Sequence, residues 1–361
     1  MINSTGNIFT LATFGESHGD AIGGVIDGMP AGVCVDLDRI QAELARRRPG
    51  TSAVVSRRSE ADEVRLLSGI FEGCTTGAPI GFVIENTDVR TADYSDLRDV
   101  YRPNHADYTY MAKFGLRDYR GGGRASARET ASRVVGGALA MQALECEGIE
   151  VVAYASAIGG VVCEARPADV SDDAVWANAV RCPDAAGADA MYRAVQAAAA
   201  DGDSLGGVVT CVVRGAPAGL GEPVFSRLES MLGAAIMSIP AVKGFDVGLG
   251  VESARVRGSQ IRDEFYRGAD GRIATRSNHS GGIQGGISNG MPIVMRAYFK
   301  PTPTIMRPFR TINSAGEEVE VSARGRHDPC VVPRAVPVVR AMAAMTVLDA
   351  LLLDRTRRIK H

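Results

Sequence analysis

Lysine is nearly absent from this 361-residue chain: of 40 basic residues only Lys113, Lys243, Lys300 and Lys360 are lysines, and the rest are arginines. With a formal net charge of −2, general adhesion to nucleic acid or to an acidic membrane surface is excluded. Cysteine pairs at Cys-x-x-Cys spacing are missing and the seven cysteines are an odd count. A disulfide framework and a zinc ribbon are therefore not expected, most of the cysteines read as buried thiols, and no metal is expected. No uninterrupted apolar run approaches a membrane span, and Met1-Ile2-Asn3-Ser4 lacks the basic and apolar regions of a signal peptide, so the expected compartment is the cytoplasm. The Gly-x-x-x-x-Gly-Lys-Ser/Thr loop, a Gly-x-Gly-x-x-Gly turn between strand and helix, the Gly-x-Ser-x-Gly elbow and His-Glu-x-x-His are absent too. This removes the common nucleotide-binding, serine-hydrolase and zinc-protease readings.

What the chain does have is a hydrophobic share of 45%, enough for one large core, and arginine in clusters. A planar guanidinium matches a phosphate or carboxylate with two parallel hydrogen bonds, so clustered arginines suit a small anionic ligand. Arg46-Arg47-Arg48 closes a helix predicted over 38–48, just before Pro49-Gly50. One cation would compensate the negative helix end; three exceed that need. Further on, Tyr119-Arg120-Gly121-Gly122-Gly123-Arg124-Ala125-Ser126-Ala127-Arg128-Glu129-Thr130 runs from glycines into a helix predicted over 126–147, with Ser126 and Glu129 at capping-box spacing. Free amides at a helix start, with Arg124, Arg128 and Arg133 beside them, read as an anion site. An ordinary capped helix with solvated arginines stays open as the alternative.

Hydrophobic patterning predicts strands over 7–14, 23–27, 150–158, 206–214, 243–251 and 292–299, and a hairpin of 64–71 with 80–85. Helices are predicted over 168–180, 188–200, 225–237 and 333–358. The stretch 86–123 has little periodicity but many tyrosines, and reads as an ordered active-site loop. The chain also echoes itself: Gly23-Gly24-Val25-Ile26 with Gly28-Met29-Pro30-Ala31-Gly32 resembles Gly206-Gly207-Val208-Val209 with Gly215-Ala216-Pro217-Ala218-Gly219. The expectation is a single domain over 1–361 with two related halves, roughly 1–200 and 201–361, sharing one core.

Several residues stand out for chemistry. His18, flanked by Gly15-Glu16-Ser17 and Gly19, sits at a strand-to-strand turn, and His105 lies in Arg102-Pro103-Asn104-His105-Ala106-Asp107. Each is either a surface turn histidine or an acid/base group. Lys300-Pro301-Thr302-Pro303-Thr304 is a stiff loop with amides and hydroxyls to offer a ligand. In Arg324-Gly325-Arg326-His327-Asp328-Pro329 the Asp328 carboxylate is either an ion-pair partner of Arg326 or a poised base.

Taken in order, Gly15–Gly19, Arg46–Gly50, Arg102–Asp107, Gly123–Thr130, Pro217–Gly221, Lys300–Thr302 and Gly325–Pro329 resemble the motifs of the chorismate synthase family, spanning residues 15 to 329. The resemblance implies an α/β (α+β) fold, a β-α-β sandwich with a helical core layer between two antiparallel sheets and an internal pseudo-two-fold. It implies 1,4-anti elimination of phosphate from 5-enolpyruvylshikimate 3-phosphate, needing reduced FMN without net redox change. It also implies a homotetramer, with NADPH a candidate reductant and an external flavin reductase favoured because no reductase domain is visible.

By that resemblance His18 protonates the departing phosphate, His105 guards the charge state of the flavin, and Asp328 accepts the substrate proton through the flavin N5. Substrate contacts fall on His18, Arg48, Arg124, Ser126, Arg128 and Arg326. Flavin contacts fall on Arg124, Ala125, Ser126, Pro240, Ala241, Gly285, Lys300, Pro301, Thr302, Pro303, Thr304 and Arg326, and Arg47 matches a nicotinamide-nucleotide position. Two positions depart from the family: Ala53 stands where many members have arginine, and Pro240 where many have asparagine. The rival readings are a flavin- or nicotinamide-dependent oxidoreductase, which would oxidise its substrate, and a non-catalytic sugar-phosphate binder.

Overall fold

The computed structural model describes residues 3–48, 62–87, 98–269, 271–322 and 328–357. In chain order the first elements are β1 (Ser4–Thr5), β2 (Thr10–Gly15), β3 (Ala21–Asp27), α1 (Leu37–Arg47), β4 (Val64–Leu66), β5 (Ile70–Phe71), β6 (Cys74–Thr75), β7 (Ile80–Glu85), α2 (Asp107–Phe114) and α3 (Thr130–Glu145). There follow β8 (Glu150–Ile158), β9 (Val161–Val162), α4 (Asp172–Trp176), α5 (Ala185–Ala200), β10 (Gly207–Arg214), α6 (Leu228–Met237) and β11 (Val242–Val247). Short hairpins β12 (Phe265–Arg267) to β13 (Ile273–Thr275) and β14 (Ile283–Gln284) to β15 (Ile287–Ser288) precede β16 (Ile293–Phe299). The hairpin β17 (Phe309–Ile312) to β18 (Glu318–Val321) and the long α7 (Val332–Arg355) close the described chain.

Two five-stranded antiparallel sheets carry the fold, ordered β1-β2-β3-β7-β4 and β9-β8-β10-β16-β11. In β16, Ile293, Met295, Ala297 and Phe299 are buried and their neighbours are not, the period-two pattern of a sheet with one face on a core. Between the sheets lie helices: α3 packs on β2 and β3, α7 on β8 and β10, and the two helices pack on each other, with α1 and α6 alongside. The expected helical layer between antiparallel sheets is what the chain adopts. Sandwiched helices need apolar surface all round, and every residue of 134–144 and 335–345 is buried.

The echo in the sequence falls on β3 and β10, the middle strands of the two sheets. Gly28 and Gly215, just past their ends, both have left-handed backbones, at φ 74° and 78°. A side chain at either would strike a neighbouring carbonyl, of Ile8 or of Gly148, so both turns demand glycine.

Several boundaries differ from expectation. Residues 168–180 hold only a 3-10 turn at Pro167–Asp169 and the short α4, because the Ser171 hydroxyl accepts from the Ala174 amide and starts the helix afresh. β4 pairs with β7 as expected, but 70–71 turns back on β6 as a separate ribbon. α7 is by length and composition apolar enough to cross a membrane, but it is mostly buried inside the fold and Arg340 and Asp349 interrupt its apolar run. Both charges are buried and bonded: Arg340 to Glu43 at 3.1 Å and to the Val151 carbonyl at 2.8 Å, and Asp349 to the amides of Asn7, Ile8 and Phe9. Asp349 thereby anchors the N-terminal segment to the last helix.

At the α3–α7 crossing, a methyl on Gly137 would lie 2.2 Å from the Ala341 β-carbon. Gly137→Ala gains about 1 kcal/mol in helix propensity but forces apart two buried helices, a cost of about 1–3 kcal/mol or more. A lowered Tm is expected, and adding Ala341→Gly should not restore it, because the new methyl would still lie 2.3 Å from the Ala341 α-carbon; a Tm at or above wild type in thermal unfolding refutes the tight crossing.

Candidate active site

Three arginines leave α1 in different directions. Arg46 pairs with Glu43 and stacks on the Trp176 ring at 4.2 Å. Arg47 is fully buried: it donates to Asp62 at 2.7 Å and to the Ala127 carbonyl at 3.0 Å. Arg48 is the half-buried C-cap. Of the three, only Arg46 and Arg47 have carboxylate partners among the described residues.

Asp62 also holds Arg128 in a very short ion pair. Burial opposes ionisation of Asp62, but the charges of Arg47 and Arg128 and their hydrogen bonds outweigh it and hold its pKa below the ordinary value. Burial pulls Arg47 below an ordinary guanidinium, from so high a start that it keeps its proton. The trio is ionised. Arg47, expected at a nicotinamide nucleotide, and Arg128, expected at the substrate, thus have buried structural partners.

From Arg128 the network reaches the histidine turn. Its Nε donates to Asn86 Oδ1 at 2.8 Å, while Asn86 Nδ2 donates to the carbonyls of Glu16 and Gly19 at 2.9 and 2.7 Å. These clamp the turn that carries His18. Ser17 Oγ lies 3.1 Å from His18 Nδ1, and a β-carbon on Gly121 would come within 2.4 Å of that nitrogen, so the glycine run exists here to let the backbone approach the ring. Asp118, held low chiefly by its hydrogen bond from Arg120, also feels the charge of His18.

The stretch 121–130 differs from the expected helix start. It forms two 3-10 turns, Gly123–Ala125 and Ala127–Glu129, before α3. The amides of Ala125, Ser126 and Glu129 bond carbonyls three residues back, so these turns consume donors that a helix N-terminus would have offered an anion. Only half of the capping box forms: Ser126 Oγ accepts from the Arg128 amide, but Glu129 turns to Thr13 and Arg133. Arg124 bonds Thr13 Oγ1 at 2.8 Å and the Gly15 carbonyl at 3.2 Å, neutral acceptors only. Among the described residues no carboxylate pairs with it, and it stands at the end of β2 that leads into the His18 turn.

A second group forms around His105. The buried Asp107 accepts from Arg102 at 2.8 Å and Arg117 at 3.0 Å, and these bonds outweigh burial to hold its carboxyl low. The loop is thereby folded tightly, with Asn104 left-handed at φ 59°, a conformation asparagine tolerates. His105 Nε2 meets Thr304 Oγ1 at 2.5 Å and the Asn104 carbonyl accepts from Lys300 Nζ at 2.9 Å. Ala241, also left-handed at φ 72°, accepts from the Lys300 amide at 3.0 Å. A non-glycine residue in that region stores strain, a feature concentrated at functional sites. Lys300 is lowered by burial and by the neighbouring charge of Lys243, a repulsion that a bound phosphate would relieve. No atom lies within 4 Å of where a side chain on Gly285 would begin. These residues fit a phosphate-bearing cofactor.

The two groups meet through 202–205 and 328–330. Leu205 N donates to the Pro329 carbonyl at 2.8 Å and Ser204 Oγ to the Thr302 carbonyl at 2.7 Å. Asp328 is ion-paired with Arg334, which also donates to the Arg47 carbonyl at 3.1 Å. Arg334 is thus one observed partner of Asp328; Arg326, the partner read from the sequence, and Ala53 lie outside the described residues. A cavity of about 550 Å³ touches Arg124, Glu129, Arg133 and Phe225 but none of His18, His105, Asp328 or the 300–304 loop. The polar partners converge instead around the two histidine groups. Asp62, Asn86 and Arg334 were not legible as site residues, because each has a defining partner distant in sequence.

Comparison with known proteins agrees over the whole chain. A family model described as chorismate synthase matches residues 9–352. The chorismate synthase of Bacteroides fragilis (strain YCH46) is 54% identical over 359 residues, 99% of this chain and 100% of that protein. That of Porphyromonas gingivalis (strain ATCC BAA-308 / W83) is 52% identical over 361 residues, 100% and 98% of the two chains. A crystal structure of chorismate synthase superposes with a TM-score of 0.77 at 30% identity, covering 97% of this chain and 93% of that one.

Removing the shared carboxylate tests the network. Asp62→Asn leaves two buried guanidinium groups without their counter-charge, a loss of about 3–5 kcal/mol at neutral pH. Because the folded-state pKa of Asp62 is depressed, its contribution is present above the unfolded value of about 3.9 and disappears as pH falls through the folded one. The stability gap between wild type and variant in urea unfolding should narrow on acidification; a gap independent of pH contradicts the ionised trio.

Proposed function

The chain belongs to the chorismate synthase family, and we propose that it catalyses 1,4-anti elimination of phosphate from 5-enolpyruvylshikimate 3-phosphate to give chorismate, the last common step of aromatic amino acid biosynthesis. It acts as a carbon–oxygen lyase on a phosphate leaving group. The observation that carries this reading is the end-to-end match at 54% identity, within which His18 and His105 both stand on turns fixed by buried ion pairs.

The reaction sets two demands: the leaving phosphate must be neutralised and protonated, and a weakly acidic C–H must be broken. His18 delivers the proton to the phosphate, its ring oriented by Ser17 at 3.1 Å. Arg124, uncompensated by any described carboxylate, and Arg48 stabilise the substrate's anionic groups, joined by Arg326 and Ser126. Arg128 contributes from behind, holding the turn through Asn86. Asp328 is assigned the substrate proton, positioned by Arg334.

Reduced FMN, when bound, supplies electron density to the substrate without net redox change. Lys300, Pro301, Thr302, Pro303 and Thr304 would hold it together with Pro240, Ala241, Gly285 and the 124–126 turn. His105, fixed against Thr304, would hold a proton beside it. Pro240 brings no side-chain donor, so the contact at that point rests on the backbone of the strained Ala241. Reductant comes from an external flavin reductase, with NADPH the alternative donor and Arg47 its family position. The working form is a cytoplasmic homotetramer. The strand orders, alike over β3-β7-β4 and β10-β16-β11 but exchanged at the outer two strands, support two related halves within one domain, dividing between α3 and β8, earlier than the expected boundary near residue 200.

Anaerobic incubation of purified protein with reduced FMN and 5-enolpyruvylshikimate 3-phosphate should release phosphate and build up chorismate absorbance, with the flavin in its starting redox state after many turnovers. Absence of both products, or net flavin oxidation in step with product, sinks the proposal. His18→Ala and His105→Ala should fold normally, by circular dichroism and Tm, yet lose at least about tenfold in turnover; wild-type turnover in either removes its assigned role.

A further inference from the structure

Two cysteines that the elimination does not use face each other across a short antiparallel bridge. Cys34, just before α1, is paired with Cys74 of β6. On either side of the pair, the Val35 amide donates to the Gly73 carbonyl at 2.8 Å and the Thr75 amide to the Val33 carbonyl at 2.9 Å. Cys34 and Cys74 therefore occupy a non-hydrogen-bonded position of the ladder, where α-carbons approach to about 4.5 Å and side chains stand closest. That separation lies inside the window a disulfide can span. The two sulfurs are 3.4 Å apart and share a hydrogen bond.

The surroundings fix this geometry. Thr75 Oγ1 donates to the Pro30 carbonyl and accepts from the Val33 amide at 2.9 Å. The backbone of Asp36 exchanges hydrogen bonds with the Gln142 side chain of α3, at 2.7 and 3.1 Å. Access is uneven: Cys34 is exposed and Cys74 half-buried, whereas Cys163, Cys182, Cys211 and Cys330 are buried. Most of the cysteines are buried thiols, as expected, and this pair and the exposed Cys146 are the exceptions.

We propose that Cys34 and Cys74 form a thiol-oxidation site that a small disulfide oxidant, such as glutathione disulfide, converts reversibly into a cross-strand disulfide. The Cys34 thiolate attacks one sulfur of the oxidant, forming a mixed disulfide and releasing one glutathione thiol. The Cys74 thiolate then attacks the Cys34 sulfur and expels the second. Two electrons and two protons leave the protein, and one glutathione disulfide departs as two thiols. Exposure makes Cys34 the first nucleophile, and the shared hydrogen bond, raising the Cys74 thiol, points the same way. The new bond ties the entry of α1 to β6 across 40 positions of sequence and touches none of the histidine or arginine groups. Its effect is stabilisation by restricting the unfolded chain.

The full-length protein is treated with glutathione disulfide, and its thiols are counted by maleimide labelling after denaturation. Two of the seven should disappear, a peptide map should join the segments holding Cys34 and Cys74, dithiothreitol should restore both, and Tm should rise while the bond persists. Cys74→Ser should stop at a glutathione adduct on Cys34, and Cys34→Ser should react far more slowly. The proposal is overturned if wild type loses thiols no faster than a Cys34→Ser/Cys74→Ser variant, or if the map joins other cysteines, Cys146 among them.

Discussion

One carboxylate with two buried arginines on it sets the geometry of the catalytic end of this molecule. Asp62 takes Arg47 from the end of α1 and Arg128 from the 3-10 turn before α3. Two guanidinium groups packed side by side away from water repel each other and cannot shed their protons; a shared anion makes their proximity tolerable. Once the three are fixed, the directions of their other bonds follow. Arg47 reaches Ala127, Arg334 reaches back to Arg47, and Arg128 grips Asn86, whose amide holds both sides of the His18 turn. Such a network contributes little net stability over an apolar core. What it contributes is orientation, which general acid catalysis needs and packing alone does not specify.

The same device recurs at His105, where Asp107 collects Arg102 and Arg117. In both places a buried carboxylate fixes a polar loop and the histidine extends from it. The surrounding fold is suited to bear this, since the loops emerge from two sheets wrapped on a helical layer in which α3 and α7 meet backbone to backbone at Gly137 and Ala341. A rigid interior lets irregular segments hold strained residues such as Ala241 and Asn104 in place.

The individual strands and helices were legible because they rest on patterns local in sequence, whereas their layered arrangement came from the family resemblance. The alternation in 292–299, the continuous apolar face of 333–358 and the repeated Pro-Ala-Gly turns each reflect a nearby partner or none. The histidines and the arginine clusters were legible as residue types, and the family resemblance gave them roles. The division of labour among the arginines was not. Nothing near Arg47 or Arg128 in the chain reveals that their counter-ion is Asp62, nor that Glu129 reaches Thr13 rather than completing a capping box. Nor could residue counts show that Cys34 and Cys74 share a ladder position. These are long-range pairings, and composition and spacing carry no record of them.

The central claim is that the ion-paired cluster acts on catalysis by positioning the His18 turn through Asn86, whose side chain bonds Arg128 on one side and the Glu16 and Gly19 carbonyls on the other. The most direct measurement is kcat of Asn86→Ala beside its Tm. Loss of the clamp on Glu16 and Gly19 should lower kcat on the order of tenfold or more, since small misplacements of an acid are costly, while Tm moves by only a few degrees. Wild-type kcat in Asn86→Ala would contradict the account.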